Sequence, residues 1–564
     1  MLSVTAIWLY MLFTTFLVGY GILQCLTRYI SYRVKYWDSY LLCGLAAVTV
    51  YAQLYSLFGR VGFTANLLLT VVCLGILWHY RRSFKEILQK IRNVKRGKMF
   101  FILFLFLLFA YGTSRGILHY DTALYHAQSI RWLEEYGVVK GLGNLHCRLA
   151  YNSSSFALSA LYSMAFFGGQ SYHCAAGWLA FLLAKLCTEI LKSLRARRLR
   201  VSDFARVMGI YYLVNIFDEM ISPASDYFMV LLAFCIVIRW LDLLEEKTTE
   251  IFPYAMLSVM GVFLLTVKLS AALVLLLVLH PAYHLLREKR WKEIIVYLIL
   301  GVVTALPFFI RNVILSGWLV YPFTQIDLFD VEWKIPRGVA DYDAREIQVW
   351  GRGYSDVTRY DISMREWLPD WFRSLAGSDK VLVIAAAVSI GILALYAVGM
   401  ILRLWKRRWD MLLVQATVAG SFVFWLCTSP LIRYGCVYVY LTPAVILGGI
   451  YDMLLCRLGS CGRKRATAEK AVRWCGTAAV ILLLSYKCVA LGREILSSYV
   501  NDYWLVQKDY ENYETDSYKI EGVTFYYPVS GDQTGYRDFP SSPSKAEIKF
   551  LGEGLKDGFV SASE

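Results

Sequence analysis

MFFILFLFLLFAYGTSRGIL, residues 99–118, runs straight into HYDTALYHAQSIRWLEEYGVVKGLGNLHCRLAYNSSS, residues 119–155, and this junction decides how the chain is read. The first stretch is a nearly unbroken apolar run, long enough as a helix to span a hydrocarbon core of about 30 Å. The second crowds Asp, His, Arg, Asn and Trp into the segment immediately after it. A spanning helix therefore delivers a polar, chemically equipped loop to one membrane face.

Outward from that junction the same pattern repeats. With 58% hydrophobic and 16% aromatic residues over 564 positions, the chain is too apolar for a soluble protein of its length. The fold class this implies is an all-α polytopic membrane protein with about 14 transmembrane helices. They are expected near 3–26, 39–58, 63–80, 99–118, 174–194, 203–218, 223–244, 254–268, 269–286, 294–314, 380–402, 410–428, 434–455 and 471–491. No basic region precedes the first, and it is too long for a signal-peptide core, so it reads as a retained helix. Five parts result: three N-terminal helices with a basic loop (1–98), a module carrying the first outer loop 119–152 (99–315), an outer-face loop (316–379), further helices (380–491) and a small tail (492–564).

A net charge of +15 would suggest a nucleic-acid partner in a soluble domain. Here the basic residues fall in short connections, where they set topology, and the partner they imply is the lipid bilayer and no nucleic acid. Clusters at 28–35, 81–98, 192–200, 287–292, 403–408 and 457–470 are expected on the cytoplasmic side. The alternation closes only if 153–194 crosses once, which makes 153–169 an interfacial or re-entrant helix. Segments 119–152, 218–224, 316–379, 428–433 and the tail after Arg493 then share the outer face. The acidic connection 242–250 runs against this scheme, but acidic residues contribute little to orientation. Most of the 13 cysteines fall within spans, which argues against a disulfide framework, and Cys456 and Cys461 lack the second ligand pair of a zinc motif. There is no Walker loop, dinucleotide fingerprint or HExxH, and hence no sign of direct ATP use.

Within the first loop, helical spacing places Asp121, Tyr125, Gln128, Trp132 and Glu135 on one face, with Ala123, Ala127 and Ile130 on the other. A carboxylate beside rings and amides suits a sugar, although an interfacial amphipathic helix shows the same pattern. An aspartate at a membrane surface can accept the proton of an acceptor hydroxyl attacking an anomeric carbon. A departing lipid phosphate is already a stable anion and needs no general acid, but it does need positive charge. Lys268, Arg311 and Arg433 sit near outer ends of spans and are candidates to contact it; each also reads as a snorkelling residue. NLHCRLAYN is unusually polar for a membrane-proximal connection, and Asn144, His146, Arg148 and Asn152 join Tyr125, His126, Gln128 and Trp132 as candidate substrate contacts. Asp218, Glu219 and Asp226 form a second acidic patch: Asp226 is a candidate substrate contact, and a divalent cation, Mg or Mn, shared with Asp121 is a candidate cofactor, against the simpler reading of solvated caps. His119, His126 and His146 lack a recognised zinc spacing. The 316–379 loop, rich in aromatics, reads as an ordered cover, and the tail, with VTFYYPV then GDQTGYRDFPSSP, as a small α/β appendage.

These residues resemble the GT-C superfamily of integral membrane glycosyltransferases, which includes protein O-mannosyltransferases, aminoarabinose transferases and oligosaccharyltransferases. The resemblance covers most of 99–451 and rests on HYDTALYH, SPASDYF, LLTVKLSA, RNVILSGWLVYP and SPLIRYG. Residues 120–156 together with GDQTGYRDFPSSP are similar to a largely uncharacterised bacterial branch associated with surface polysaccharides. The resemblance implies a general-base role for Asp121 and site roles for Asp226 and Lys268. It also implies an inverting transferase of the bacterial inner membrane, facing the periplasm or exterior, that moves a sugar from a polyprenyl-phosphate carrier to a glycan, lipid or protein acceptor. A polymerase or ligase using a pyrophosphate-linked donor, and a lipid-linked oligosaccharide flippase or transporter, are the alternatives. The chain departs from the common pattern in its three leading spans, its single aspartate in place of an Asp-Asp or Asp-Glu pair, and its short tail.

Overall fold

In the computed structural model, which describes residues 1–30, 32–402, 408–457, 462–497 and 502–562, the chain is mostly helical. Residues 403–407 of the basic cluster 403–408, 458–461 of the cluster 457–470, and Cys461 with the Cys456 side chain lie outside the described residues. Each of the fourteen expected spans meets a helix, but among the described residues length and composition qualify nine helices to cross a membrane, or ten if Phe63–His79 and Arg81–Arg92, bent by 85°, count as one. That is fewer than about fourteen. The shortfall has a plain cause: Ala175–Cys187, Val201–Asn215 and Phe252–Val267 have 13, 15 and 16 residues, and at about 1.5 Å per residue none reaches across about 30 Å. Trp37–Ser56 is long enough but carries Asp38, Thr49, Gln53 and Ser56, all buried against protein.

The Ser225–Glu245 helix is the centre of the bundle, with nearly every residue from Asp226 to Leu243 buried. Ser154–Tyr162, at nine residues, is too short to cross and is buried throughout, while Phe167 just beyond it is exposed. At Lys268 the backbone leaves helical geometry (φ −155°, ψ 128°) and the chain turns from Phe252–Val267 into Leu269–Val278, a ten-residue 3-10 helix. Its tighter winding rises about 2.0 Å per residue, so this apolar segment extends further than an α-helix of equal length.

At the end of the bundle where the basic connections gather, the acidic connection that opposed the charge scheme is met by basic and hydroxyl partners. Asp242 takes Arg206 at 2.6 Å and Arg239 at 2.9 Å, Glu245 accepts from Ser202, and Glu246 accepts from Lys35 at 2.5 Å. Arg239 also makes paired 2.7 Å bonds to Asp38.

The tail differs from the expected α/β appendage. It holds two antiparallel pairs, Thr515–Ile520 with Val523–Pro528 and Ile548–Phe550 with Phe559–Ser561, and no α-helix among its described residues beyond Ser497. A tight turn at Glu521 (φ 49°) and Gly522 (φ 86°) closes the first hairpin, as two-residue hairpin loops require. Nor does the tail stand apart: Phe525, Ile548 and Phe559 form one core with Trp132, Val139, Leu142, Leu145 and Leu149 of the first loop.

Candidate functional site

All the segments assigned to one face by charge alternation converge at one end of the bundle. Asp218 pairs with Arg115 at 2.9 Å and with Lys487 at 2.5 Å, which ties 218–224 to the end of Arg96–Ser114 and to the last long helix. Arg148 of the first loop bonds Glu346 at 2.9 Å, and Tyr151 donates to Asp343 at 2.6 Å, bringing the 316–379 loop over it.

Beneath this cover lies a cavity of about 250 Å³. Asp121, Tyr125, Arg148, Asn152, Asp226 and Lys268 all line it. Arg433 Nη2 donates to Asp121 Oδ2 at 2.7 Å, while Nη1 bonds His119. Among the described residues none hydrogen-bonds to the other Asp121 oxygen. Lys268 Nζ bonds Asp226, and stands 4.1 Å from the centre of the Tyr434 ring. The Arg433 guanidinium is 5.1 Å from the same ring. The cations of two carboxylate–cation pairs thus both stand against the ring of Tyr434, which lines the cavity.

The remaining expected contacts divide. Tyr125 lines the cavity half-buried and His126 is buried next to it; desolvation raises the phenol pKa well above its ordinary value and holds the imidazole well below its own, hence neutral. Arg148 stacks on Trp350 at 4.4 Å, and Asn152 donates to the Phe308 carbonyl at 2.9 Å. Gln128 and Trp132 face away. Gln128 donates to the carbonyls of Gly535 and Asp538, both at 2.9 Å, and Trp132 packs on Phe539 and Phe559. The expected single face fails because Thr122–His126 is a π-helical turn, whose extra residue rotates the positions after it. Asn144 reaches the carbonyls of Trp333 and Phe559 and does not line the cavity. His146 is also out of it, half-buried, with its pKa pushed down to about 3 by desolvation first and by the Arg148 charge second.

Arg311 is separated from the other two cations. Phe308 and Asn312 of its helix line the cavity, but Arg311 is turned behind it, 2% exposed, against Trp132, Leu142 and Leu149. Of the acidic patch, Asp226 lines the cavity with Asp121 and is held by Lys268, while Asp218 is held by Arg115 and Lys487 and Glu219 by Tyr227. Tyr151, part of the polar turn NLHCRLAYN, lines the cavity, and His119, one of the loop histidines, bonds Arg433; Tyr434, Glu346 and Trp350 are site neighbours that the sequence reading does not single out. Tyr434 had a signal, since it adjoins Arg433 in SPLIRYG; the 316–379 residues had none finer than their loop.

Residues 1–440 match the profile of a family described as a domain of unknown function, DUF8201. The chain belongs to this family. The DUF8201 span takes in Asp121, Asp226, Lys268, Arg433 and Tyr434 and ends before the strand tail that is clasped to the first loop. No curated protein and no solved structure matches the chain.

Proposed function

We propose that this DUF8201 protein is a membrane glycosyltransferase of GT-C type that transfers a sugar from a polyprenyl-phosphate donor to a surface glycan, lipid or protein acceptor. The observation that carries the reading is the single cavity in which a carboxylate with one uncommitted oxygen, Asp121, meets a lysine at the end of a span, Lys268. Asp121 accepts the acceptor hydroxyl proton on the oxygen that Arg433 leaves free, as the hydroxyl attacks the anomeric carbon. The bond to the lipid phosphate breaks with inversion, and the phosphate leaves as an anion toward Lys268 and Arg433. As Asp121 takes up the proton, Arg433 is released to a phosphate oxygen, while Lys268 bridges Asp226 and the phosphate, so the Asp226 carboxylate keeps its cation in a site of low dielectric. Because both carboxylates already face protein cations, that positive charge is available from the chain itself. Tyr125, Tyr151 and Trp350 supply aromatic faces for the sugar. The reaction faces the periplasm or exterior of a bacterial inner membrane, on the side opposite the basic connections.

Purified protein in lipid nanodiscs, supplied with a set of polyprenyl-phosphate-linked radiolabelled sugars, tests this. Asp121→Asn is expected to lower transfer by roughly 10²- to 10⁴-fold. Undiminished transfer by that variant rejects the assigned base, and absence of transfer from every donor by the wild-type chain rejects the reaction class.

A further inference from the structure

At the opposite end of the bundle, among the basic connections, lies a larger recess of about 1400 Å³. Its rim carries Lys192, Arg198, Arg200 and Lys247. Its wall holds three potential ligands that the transfer reading does not use: His280, His284 and Asp410. The two histidines come from Leu279–Arg287, the far half of the segment that begins at Lys268, and Asp410 from the first turn of Trp409–Thr428.

Spacing of four residues puts His280 and His284 one turn apart on the same helix face, with ring centres 4.9 Å from each other. His280 Nδ1 is 3.2 Å from Asp410 Oδ1. The ligand atoms of all three residues lie within 4.8 Å of one another. A tetrahedral ion with bonds of about 2.0 Å places its ligands about 3.3 Å apart, so small rotations of these side chains close the set. The neighbouring cation does not compete, because Arg408 is held by Asp452 at 2.5 Å. Behind the histidines stand rings, Tyr254 at 4.5 Å and Trp240 at 6.0 Å from His280, which fix its plane and keep one side of the site dry. The other side opens into the recess, leaving room for water or a further ligand.

We infer that His280, His284 and Asp410 form a binding site for a divalent transition metal, best matched by Zn²⁺, that joins Leu279–Arg287 to Trp409–Thr428 and keeps at least one coordination position open. Two imidazoles and one carboxylate form a borderline nitrogen and oxygen set, which favours zinc over the hard all-oxygen ions Mg²⁺ and Ca²⁺. Binding adds to the His280–Asp410 hydrogen bond that already links the two segments, so the metal stabilises the folded chain by mass action. The site stands independently of the transfer chemistry at the other face.

The test uses the full chain in detergent without a polyhistidine tag, stripped by chelator and then dialysed against Zn²⁺ or Mg²⁺ at micromolar concentration. Metal retained after gel filtration is counted, and X-ray absorption at the zinc edge reports the donor atoms. One zinc per chain, nitrogen and oxygen donors, no magnesium, and a melting temperature raised by zinc are expected. His280→Gln with His284→Gln should bind zinc at least tenfold more weakly and lose the thermal shift. Its elution volume and its melt in chelator report whether it is folded, and Asp410→Asn provides a second, milder variant with intermediate loss. Failure to retain zinc, sulfur donors, or full retention by the double variant overturns the site and leaves an ordinary histidine–aspartate hydrogen bond.

Discussion

Asp121 and Arg433 are 312 positions apart in sequence, yet each accounts for the other's tolerance of a largely buried position. Removing one member of such a pair leaves the other charge without a partner in poorly hydrated surroundings, which costs more than losing the bond itself. Arg433→Ala is therefore expected to destabilise the chain more than Arg433→Ala combined with Asp121→Ala. The coupling read from a double-mutant cycle of thermal or denaturant melts should be about 1–3 kcal/mol. Lys268 and Asp226 should behave in the same way. Strictly additive losses would show that the two members of each pair do not sense one another, and would also remove the premise that a phosphate displaces a protein carboxylate in this cavity. Arg433→Lys is not a neutral change, because a single ammonium cannot hold Asp121 and His119 through separate nitrogens as the guanidinium fork does.

At the level of elements, the decisive feature is the union of the first outer loop with the strand tail. Inside the π-helical turn the Ala123 carbonyl accepts N–H groups from both Thr534 and Gly535, at 3.1 and 2.9 Å. Arg131 donates to the carbonyls of Tyr536 and Arg537, and Tyr536 donates to Glu134 at 2.6 Å. At the far end of the loop two glycines allow the backbones to touch. Gly141 (φ 61°) would place a Cβ 2.0 Å from the Phe559 carbonyl oxygen, and Gly558 (φ 107°) one 2.4 Å from that of Lys140. Gly141→Ala is thus expected to push the Phe559–Ser561 strand off the loop, at a cost of about 1–3 kcal/mol in local stability. Hydrogen–deuterium exchange should be faster across residues 523–528 and 548–561, with little change around Lys268; unchanged exchange in the strands would show that the close approach has no structural weight. Sequence made the loop, its polarity and the separate tail motif legible, because each is a local composition signal. The docking stayed hidden. Gln128 and Trp132 look like sugar contacts because an amide and an indole on a helix face are the same whether they meet a ligand or a strand, and the π turn that rotates them leaves no mark in hydrophobic periodicity.

Over the whole molecule, the alternation of basic connections sorted the chain into two ends, and segments far apart in sequence, 119–152, 218–224, 316–379, 428–433 and the tail, do meet at one of them. The number of crossings was less legible, because hydropathy registers an apolar helix without registering whether lipid or protein surrounds it; Ala175–Cys187 and Phe252–Val267 are apolar and short. The end that carries the carboxylate cavity also carries neutral histidines. His146 and His173 each have their pKa pushed down to about 3 by desolvation, with Arg148 adding to the effect at His146. His173 faces Gln507 and Tyr510 of the tail. A histidine of unfolded pKa about 6.5 takes up a proton in the unfolded chain as the pH falls below that value, while its desolvated counterpart does not. The stability it contributes is therefore fully present above about pH 6.5 and declines toward about pH 3, by about 1.4 kcal/mol per unit for each histidine across that window. Glu134 and Asp343, raised by burial, act in the opposite sense as they protonate in the folded chain. The difference between proteins isolates the histidines: between pH 7 and 5 the wild type should lose more melting temperature than His146→Gln with His173→Gln, whose profile should be flatter. Parallel profiles would mean that water reaches both imidazoles in the folded chain, and with it that the tail does not seal the loop against solvent.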